Sequence, residues 1–275
     1  MDLRSILDLE SHGRDVYVGI GPRYPWGGLY GGQIVAQALM AAAHTVSDEM
    51  PVHSLRAYFI RRGDHDEPVR YEVDRIRDGR SFATRRVVAR QAVGAILNLE
   101  ASFQRDEGSA DVETLAPPPE LPTPDQLEPS SWSAAFERAF VPGDRVSPAA
   151  ERDGRGRATA WLRTTEAIGE DRFRQAAALA YMSDDLPTDA VVQAHPVRSE
   201  PDETLYKALF TASLDHTIWF HRPLAADRWH LHDFTCHTFV GGRGLSLGQI
   251  FALDGTHVAT VAQEVLLRDT RDRTS

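Results

Sequence analysis

The sequence predicts an α+β protein made of two similar antiparallel units joined into one extended sheet. Three observations predict it. Strand-like, helix-like and again strand-like segments come in the same order twice along the chain. No helical segment separates the strand candidates between Ser54 and Gln104, whereas a parallel α/β fold needs one at each crossover. Short stretches also recur at a displacement of about 160 residues, as Tyr58-Phe59-Ile60-Arg61-Arg62 does in Ile218-Trp219-Phe220-His221-Arg222, and Gly94 in Gly255. A helix wrapped by a curved meander leaves open strand edges, and two such units remove them by pairing edge to edge.

The first unit reads in order. Asp15 to Ile20 is a short β-prone run, and Tyr24 to Gly28 carries the proline and glycines of a turn. From Tyr30 to His44, the residues Ile34, Val35, Ala38, Leu39 and Ala42 fall at helical spacing and make one apolar stripe. Ala36, Ala41 and Ala43 cover the opposite face, so this helix is expected to be buried nearly all round. Strands are expected at Ser54 to Arg61, Val69 to Arg77, Ser81 to Arg90 and Ala95 to Gln104, with Gly94 turning the last pair. In Val69 to Arg77 the alternation is clean: Val69, Tyr71 and Val73 interleave with Arg70, Glu72 and Asp74.

Between Ala116 and Pro124 stand five prolines, which deny backbone donors and favour extended chain, so this stretch reads as a semi-rigid linker. The boundaries that follow are a first unit at residues 1–107, a linker region at 108–132 and a second unit at 133–275. In the second unit, Glu151 to Arg157 is a polar, glycine-containing surface loop and Ala158 to Thr164 is β-prone. Asp171 to Ser183 is an alanine-rich helix ended by Pro187. Strand candidates follow at His216 to Arg222, Arg228 to Phe234, Leu245 to Leu253 and Thr256 to Arg268, with Asp254-Gly255 as a tight hairpin turn. Gly241 to Gly244 matches no phosphate-binding glycine spacing and reads as a turn.

Composition narrows the function classes. The 275 residues are 42% apolar and carry 30 basic and 40 acidic side chains, a net charge of −10 that argues against nucleic acid as a partner. A small anion held by a few local arginines remains open, and all cationic side chains but Lys207 are arginine, which grips phosphate in a bidentate fork. No apolar run approaches the ~20 residues that cross a bilayer, and the N-terminus lacks the pattern of a secretory signal. No membrane partner and a cytoplasmic location are therefore expected. The single cysteine, Cys236, leaves neither an intramolecular disulfide nor a thiolate metal site.

Few residues stand out as chemical. Alternation puts Gln263 on one face with Ala259, Val261, Val265 and Leu267, where an amide must find partners or cost a few kcal/mol. Asp184 and Asp185 directly follow a helix, where the dipole disfavours a carboxylate. Ser213, Asp215 and His216 have the residue types of a hydrolytic triad, but alternation along one strand forbids their forming the relay, and no Gly-x-Ser-x-Gly elbow is present. His230 and His232 share a strand face without an evident third ligand, so no metal is assigned to them. Arg61, Arg62, Arg80, Arg85 and Arg86 cluster near strand ends at a density that could serve phosphate.

Taken as a set, several stretches resemble the type II acyl-CoA thioesterase family, TesB-like enzymes with a double hotdog fold. In the first half these are Tyr30 to Leu39, Val52 to Asp64, Arg77 to Val87 and Ala101 to Gln104. In the second half they are Tyr181 to Asp184, Ser213 to Pro223 and Ala262 to Glu264. The linker and Pro142 to Arg157 match poorly.

The resemblance implies that each half is a hotdog unit, that the substrate is an acyl-CoA, that no metal or cofactor is needed, and that the chain forms a homo-oligomer, a dimer or tetramer. It also implies that a catalytic water is held by Asp184, Ser213 and Gln263; Ser213 stands where bacterial members usually have Thr, which keeps the hydroxyl. Around this set, Gly31 and Gly32 at the start of the first helix are candidate oxyanion donors. His53, opposite Ser213 in the internal alignment, is a candidate lining residue, and Arg61 and Ser81 are candidate substrate contacts. Hotdog hydratases resemble an Asp followed five residues later by His; here Asp184 is followed by Asp189, so that reading fails. The remaining alternative is a non-catalytic acyl-CoA binding or sensing protein, which would not require all three polar residues together.

Overall fold

Period-two alternation in the chain becomes a single antiparallel sheet in the computed structural model, which describes residues 1–142, 156–196 and 208–271. The polar stretch from Glu151 as far as residue 155, and Lys207, lie outside the described residues. The elements are α1 (Leu3–Leu7), β1 (Glu10–Ser11), β2 (Val16–Gly19), α2 (Gly31–Ala43), β3 (Val52–Phe59), β4 (Val69–Asp78), β5 (Phe82–Gln91) and β6 (Gly94–Gln104). After the linker come β7 (Phe136–Phe140), β8 (Arg157–Thr164), α3 (Arg172–Ser183), α4 (Leu186–Ala194), β9 (Leu209–Ser213), β10 (Asp215–Phe220), β11 (His230–Val240), β12 (Arg243–Ala252) and β13 (His257–Asp269). The sheet runs β1-β2-β4-β5-β6-β3-β10-β13-β12-β11-β8-β7, with β9 added beside β13. The two halves meet at β3 and β10, where Leu55 pairs with Ile218 and Ala57 with His216.

The expected helix forms with Tyr30 and His44 as its caps, and every residue of α2 from Gly32 to Ala43 is buried. Its alanines let the sheet and α3 approach closely, while side chains such as Ile34 and Leu39 each contribute about 1.5–3 kcal/mol by leaving water. α3 runs antiparallel to α2: Asp184 at the C-cap of α3 meets Gly32 at the start of α2, and His44 at the end of α2 feels the charges of Asp171 and Arg174. Pro187 does not simply end α3. It sits in the first turn of α4, where its missing N–H costs nothing. The short strands β7 and β9 were also not evident from alternation. Among the described residues, no helix is long and apolar enough to cross a membrane.

The internal repeat is real but shifted by one residue from the sequence alignment. At the end of β3, the N–H groups of Ile60 and Arg61 both point to Ile96 O; at the end of β10, those of His221 and Arg222 both point to Val258 O. Arg61 therefore matches Arg222, and Ile60 matches His221. Exposure agrees, since Tyr58 (49%) and Trp219 (43%) both face out while Ala57 and Ile218 are fully buried. A one-residue slip would turn each side chain to the wrong face, so burial fixes the register where weak identity could not.

The linker is no free tether. Leu121 and Leu127 pack on a small cluster around Trp161, Leu231 and Phe251, and Trp161 Nε1 donates to Pro122 O at 2.9 Å.

Candidate active site

Three side chains far apart in sequence meet at the junction of the halves. Asp184 is the C-cap of α3, Ser213 ends β9 and Gln263 lies in β13 on the buried face expected from alternation. The Ser213 hydroxyl donates to Asp184 Oδ1 at 3.0 Å, and Gln263 Nε2 donates to Ser213 Oγ at 2.8 Å. The first half completes the set, because the Gly32 N–H donates to Asp184 Oδ2 at 2.8 Å. This explains how a carboxylate survives at a helix C-terminus: it also caps the N-terminus of α2, which has no side-chain cap of its own.

Both glycines of the α2 N-terminus are held by space. A Cβ at Gly31 would lie 2.6 Å from Asp184 Oδ2 and 2.9 Å from Phe59 Cζ, and one at Gly32 would lie 2.3 Å from Tyr181 O. The expectation that Gly32 meets an oxyanion needs amending, because its N–H is already given to the carboxylate.

Burial pushes the Asp184 carboxyl above its ordinary range; the His216 ring and the hydrogen bonds from Gln263, Ser213 and Gly32 oppose this without cancelling it. Asp185 is buried too, but differently engaged. Arg138 reaches both of its oxygens at 2.9 Å and Trp132 Nε1 donates at 2.6 Å, so this carboxylate ties α3 to the chain just after the linker. Its carboxyl is likewise pushed up by burial, with Arg138 pulling the other way.

His216 is the site residue that sequence reasoning missed. Its Nδ1 bonds Gln263 Oε1 and its Nε2 lies 2.9 Å from Ser183 Oγ. Strict alternation puts Ser213 and His216 on opposite faces. The chain breaks step at Leu214, between β9 and β10, so both reach the buried side and both touch Gln263. The rejected Ser-Asp-His relay is indeed not made, for Asp215 accepts the Glu264 N–H at 2.7 Å instead.

The other candidates lie elsewhere in the hydrogen-bond pattern. His53 Nε2 is 2.8 Å from Ser102 Oγ, and the register places Val52, not His53, in the position of Ser213. The one-residue shift described above is the reason. Arg61 is exposed and donates to Ala95 O at 2.8 Å, and Ser81, in the β4–β5 turn, accepts from the Arg105 N–H through its carbonyl. His230 and His232 are buried; both ring nitrogens of His232 lack a hydrogen-bond partner and burial lowers it to about 3.

The chain is similar to known proteins over nearly its whole length. The family model described as the acyl-CoA thioesterase N-terminal domain matches residues 21–104, and that of the C-terminal domain matches residues 111–267. The chain belongs to the type II acyl-CoA thioesterase family. Acyl-coenzyme A thioesterase 8 of Mus musculus is 34% identical over 96% of this chain and 88% of its own. Acyl-CoA thioesterase 2 of Haemophilus influenzae is 34% identical over 87% of each. The crystal structure of acyl-CoA thioesterase II TesB2 from Mycobacterium marinum superposes with a TM-score of 0.84 at 35% identity, covering 97% of this chain and 98% of that one. Each half of this thioesterase family member is thus a hotdog unit, with α2 and α3 as the two wrapped helices.

Proposed function

We propose that this thioesterase family member hydrolyses acyl-CoA to free acid and CoA, using a water activated by Asp184 and positioned by Ser213 and Gln263. The observation that carries the reading is the unbroken chain from Gln263 Nε2 through Ser213 Oγ to Asp184 Oδ1, at 2.8 and 3.0 Å. A thioester carbonyl is already electrophilic, so the protein must supply a placed water and a base. Each carboxylate oxygen accepts more than one hydrogen bond, so Asp184 keeps lone pairs for a water while held by Ser213 and Gly32.

As the water oxygen bonds to the carbonyl carbon, its proton passes to Asp184, and the carbonyl electrons move onto oxygen. Collapse of that adduct re-forms the carbonyl and breaks the C–S bond. Asp184 then returns the proton to the departing sulfur. General-base assistance of this kind is typically worth ~10²–10⁴-fold. Arg61, exposed at the end of β3, is our candidate for a CoA phosphate contact, and a homo-oligomer is the assembly we propose.

Thiol release from acyl-CoAs of graded chain length tests the reading, comparing wild type with Asp184→Asn and Gln263→Ala. Release by wild type, lost in both variants while acyl-CoA still binds, is the expected result. Binding without release by wild type would leave an acyl-CoA binding protein instead.

A further inference from the structure

The hydrogen-bond order around Gln263 leaves one consistent arrangement. The single hydrogen of Ser213 goes to Asp184, so Ser213 Oγ must accept, and the atom facing it is the Gln263 amide nitrogen. Gln263 Oε1 then faces His216 and can only accept, so Nδ1 of His216 must carry a hydrogen. Turning the amide over would set Oε1 against a serine oxygen whose hydrogen is already given away.

On its far side, His216 Nε2 lies 2.9 Å from Ser183 Oγ, the residue immediately before Asp184. The Ser183 hydroxyl also lies 3.1 Å from Ala180 O within its own helix. A neutral ring with hydrogen on Nδ1 has its lone pair on Nε2, so in that state the one Ser183 hydrogen, which can also be donated to Ala180 O, turns to the ring, the shorter of its two contacts. His216 thus bridges the last turn of α3 to the β13 glutamine, while fully buried on β10.

We infer that His216 is a positioning residue of the thioesterase site: its Nδ1–H tautomer sets the orientation of the Gln263 amide and ties the helix end that carries Asp184. The inference rests on the water-activation reading and goes beyond it, since His216 acts through the two side chains it bonds, Gln263 and Ser183. Burial also pushes the imidazole down and favours the neutral ring, with the Asp184 carboxylate as the main opposing influence. Without the Nδ1–H, the amide is free to turn and present its oxygen to Ser213, which would pull the serine hydrogen away from Asp184.

The test uses the full chain with His216→Leu, His216→Asn and Ser183→Ala, assayed on the best acyl-CoA of the wild-type panel. The asparagine amide offers a donor near the place of Nδ1. His216→Leu should lower kcat by ~10²-fold with KM within about twofold, as expected for a misplaced water rather than a lost binding contact. His216→Asn should recover at least about tenfold of that loss, and Ser183→Ala should cost less than His216→Leu.

Nitrogen-15 NMR of the wild-type ring gives a readout independent of turnover, and the expected result is hydrogen on Nδ1 in the neutral ring. Hydrogen on Nε2 alone overturns the inference. So does a folded His216→Leu with kcat near wild type, or a folded His216→Asn no better than His216→Leu. Should His216→Leu fail to fold, the asparagine variant and the NMR tautomer decide. A wild type that hydrolyses no acyl-CoA overturns the functional reading instead, and the tautomer still decides the hydrogen-bond order.

Discussion

The two halves share one frame and differ in what their sheets turn toward the helices. In the second half the buried face carries Gln263, Ser213 and His216, with Ser246 paired opposite Gln263. In the first half the matching places hold Ala101, Val52 and Leu55, with Arg85 paired opposite Ala101. Arg85 is buried and donates to Thr45 Oγ1 at 2.7 Å and Thr45 O at 2.9 Å, just past the C-terminus of α2, and pairs with Asp78. A cation at a helix C-terminus is the stabilising arrangement. At the matching end of α3 stands the carboxylate Asp184, which is the destabilising one. One half thus satisfies its helix end, and the other holds a chemical group there. The first half is no bystander, however, because its Gly32 N–H is what lets Asp184 sit where it does.

The largest effect expected from this difference is at Asp184. Asp184→Asn should lower kcat by roughly 10³-fold while acyl-CoA binding and the melting temperature stay near wild type. Steady-state kinetics with a thermal melt read both.

Next comes Gly31→Ala, a first-half change aimed at the second-half base. Its Cβ would press on Asp184 Oδ2 and Phe59. Displacing a carboxylate by even about 1 Å can cost ~10²-fold in kcat, which is the loss expected. Unchanged kinetics would break the idea that the site is built across both halves.

A smaller effect is expected in the pH profile. The Asp184 carboxyl is held above its ordinary range, so it becomes protonated, and useless as a base, at a pH where a free Asp (about 3.9) is still ionised. The acid limb of kcat/KM should therefore lie above that value, activity falling as pH falls through the raised pKa. Stability runs the opposite way: this group favours the fold on the acid side, and its contribution declines as pH rises from the unfolded value through the folded one. Ser213→Ala removes a hydrogen bond that favours the ionised form, so it should move the acid limb further up and lower kcat by about tenfold.

The smallest effect on activity belongs to the first-half counterpart. Arg85→Met should lower the melting temperature, because it strips donors from the end of α2 and from Asp78, yet leave kcat within about twofold. Loss of activity in a folded Arg85→Met would show that the halves do not divide stability and chemistry in this way.

Local pattern carried much of this into the sequence. The α2 stripe, the inward set Val69, Tyr71 and Val73 and the buried place of Gln263 were legible because each depends on periodicity within a single element. Residues that depend on a break in periodicity were not. The irregularity at Leu214 brings His216 to the buried face beside Ser213, and no spacing rule anticipates it. The same holds for contacts between distant segments: Gly32 with Asp184, Arg138 and Trp132 with Asp185, and Ser183 with His216. Asp184 stands out in the sequence because a carboxylate after a helix breaks the dipole preference. The resolution of that mismatch, an N-terminus from the other half, needed the fold.

The central claim is that the second half's buried set delivers a water directly to the thioester carbonyl, with Asp184 as base and not as nucleophile. Single-turnover hydrolysis in oxygen-18 water, with enzyme in excess and the released acid weighed by mass spectrometry, tests it most directly. The account predicts one heavy oxygen in the acid from the first turnover and none in the protein. Light oxygen in the acid, with the label recovered in the Asp184 carboxyl, would contradict it.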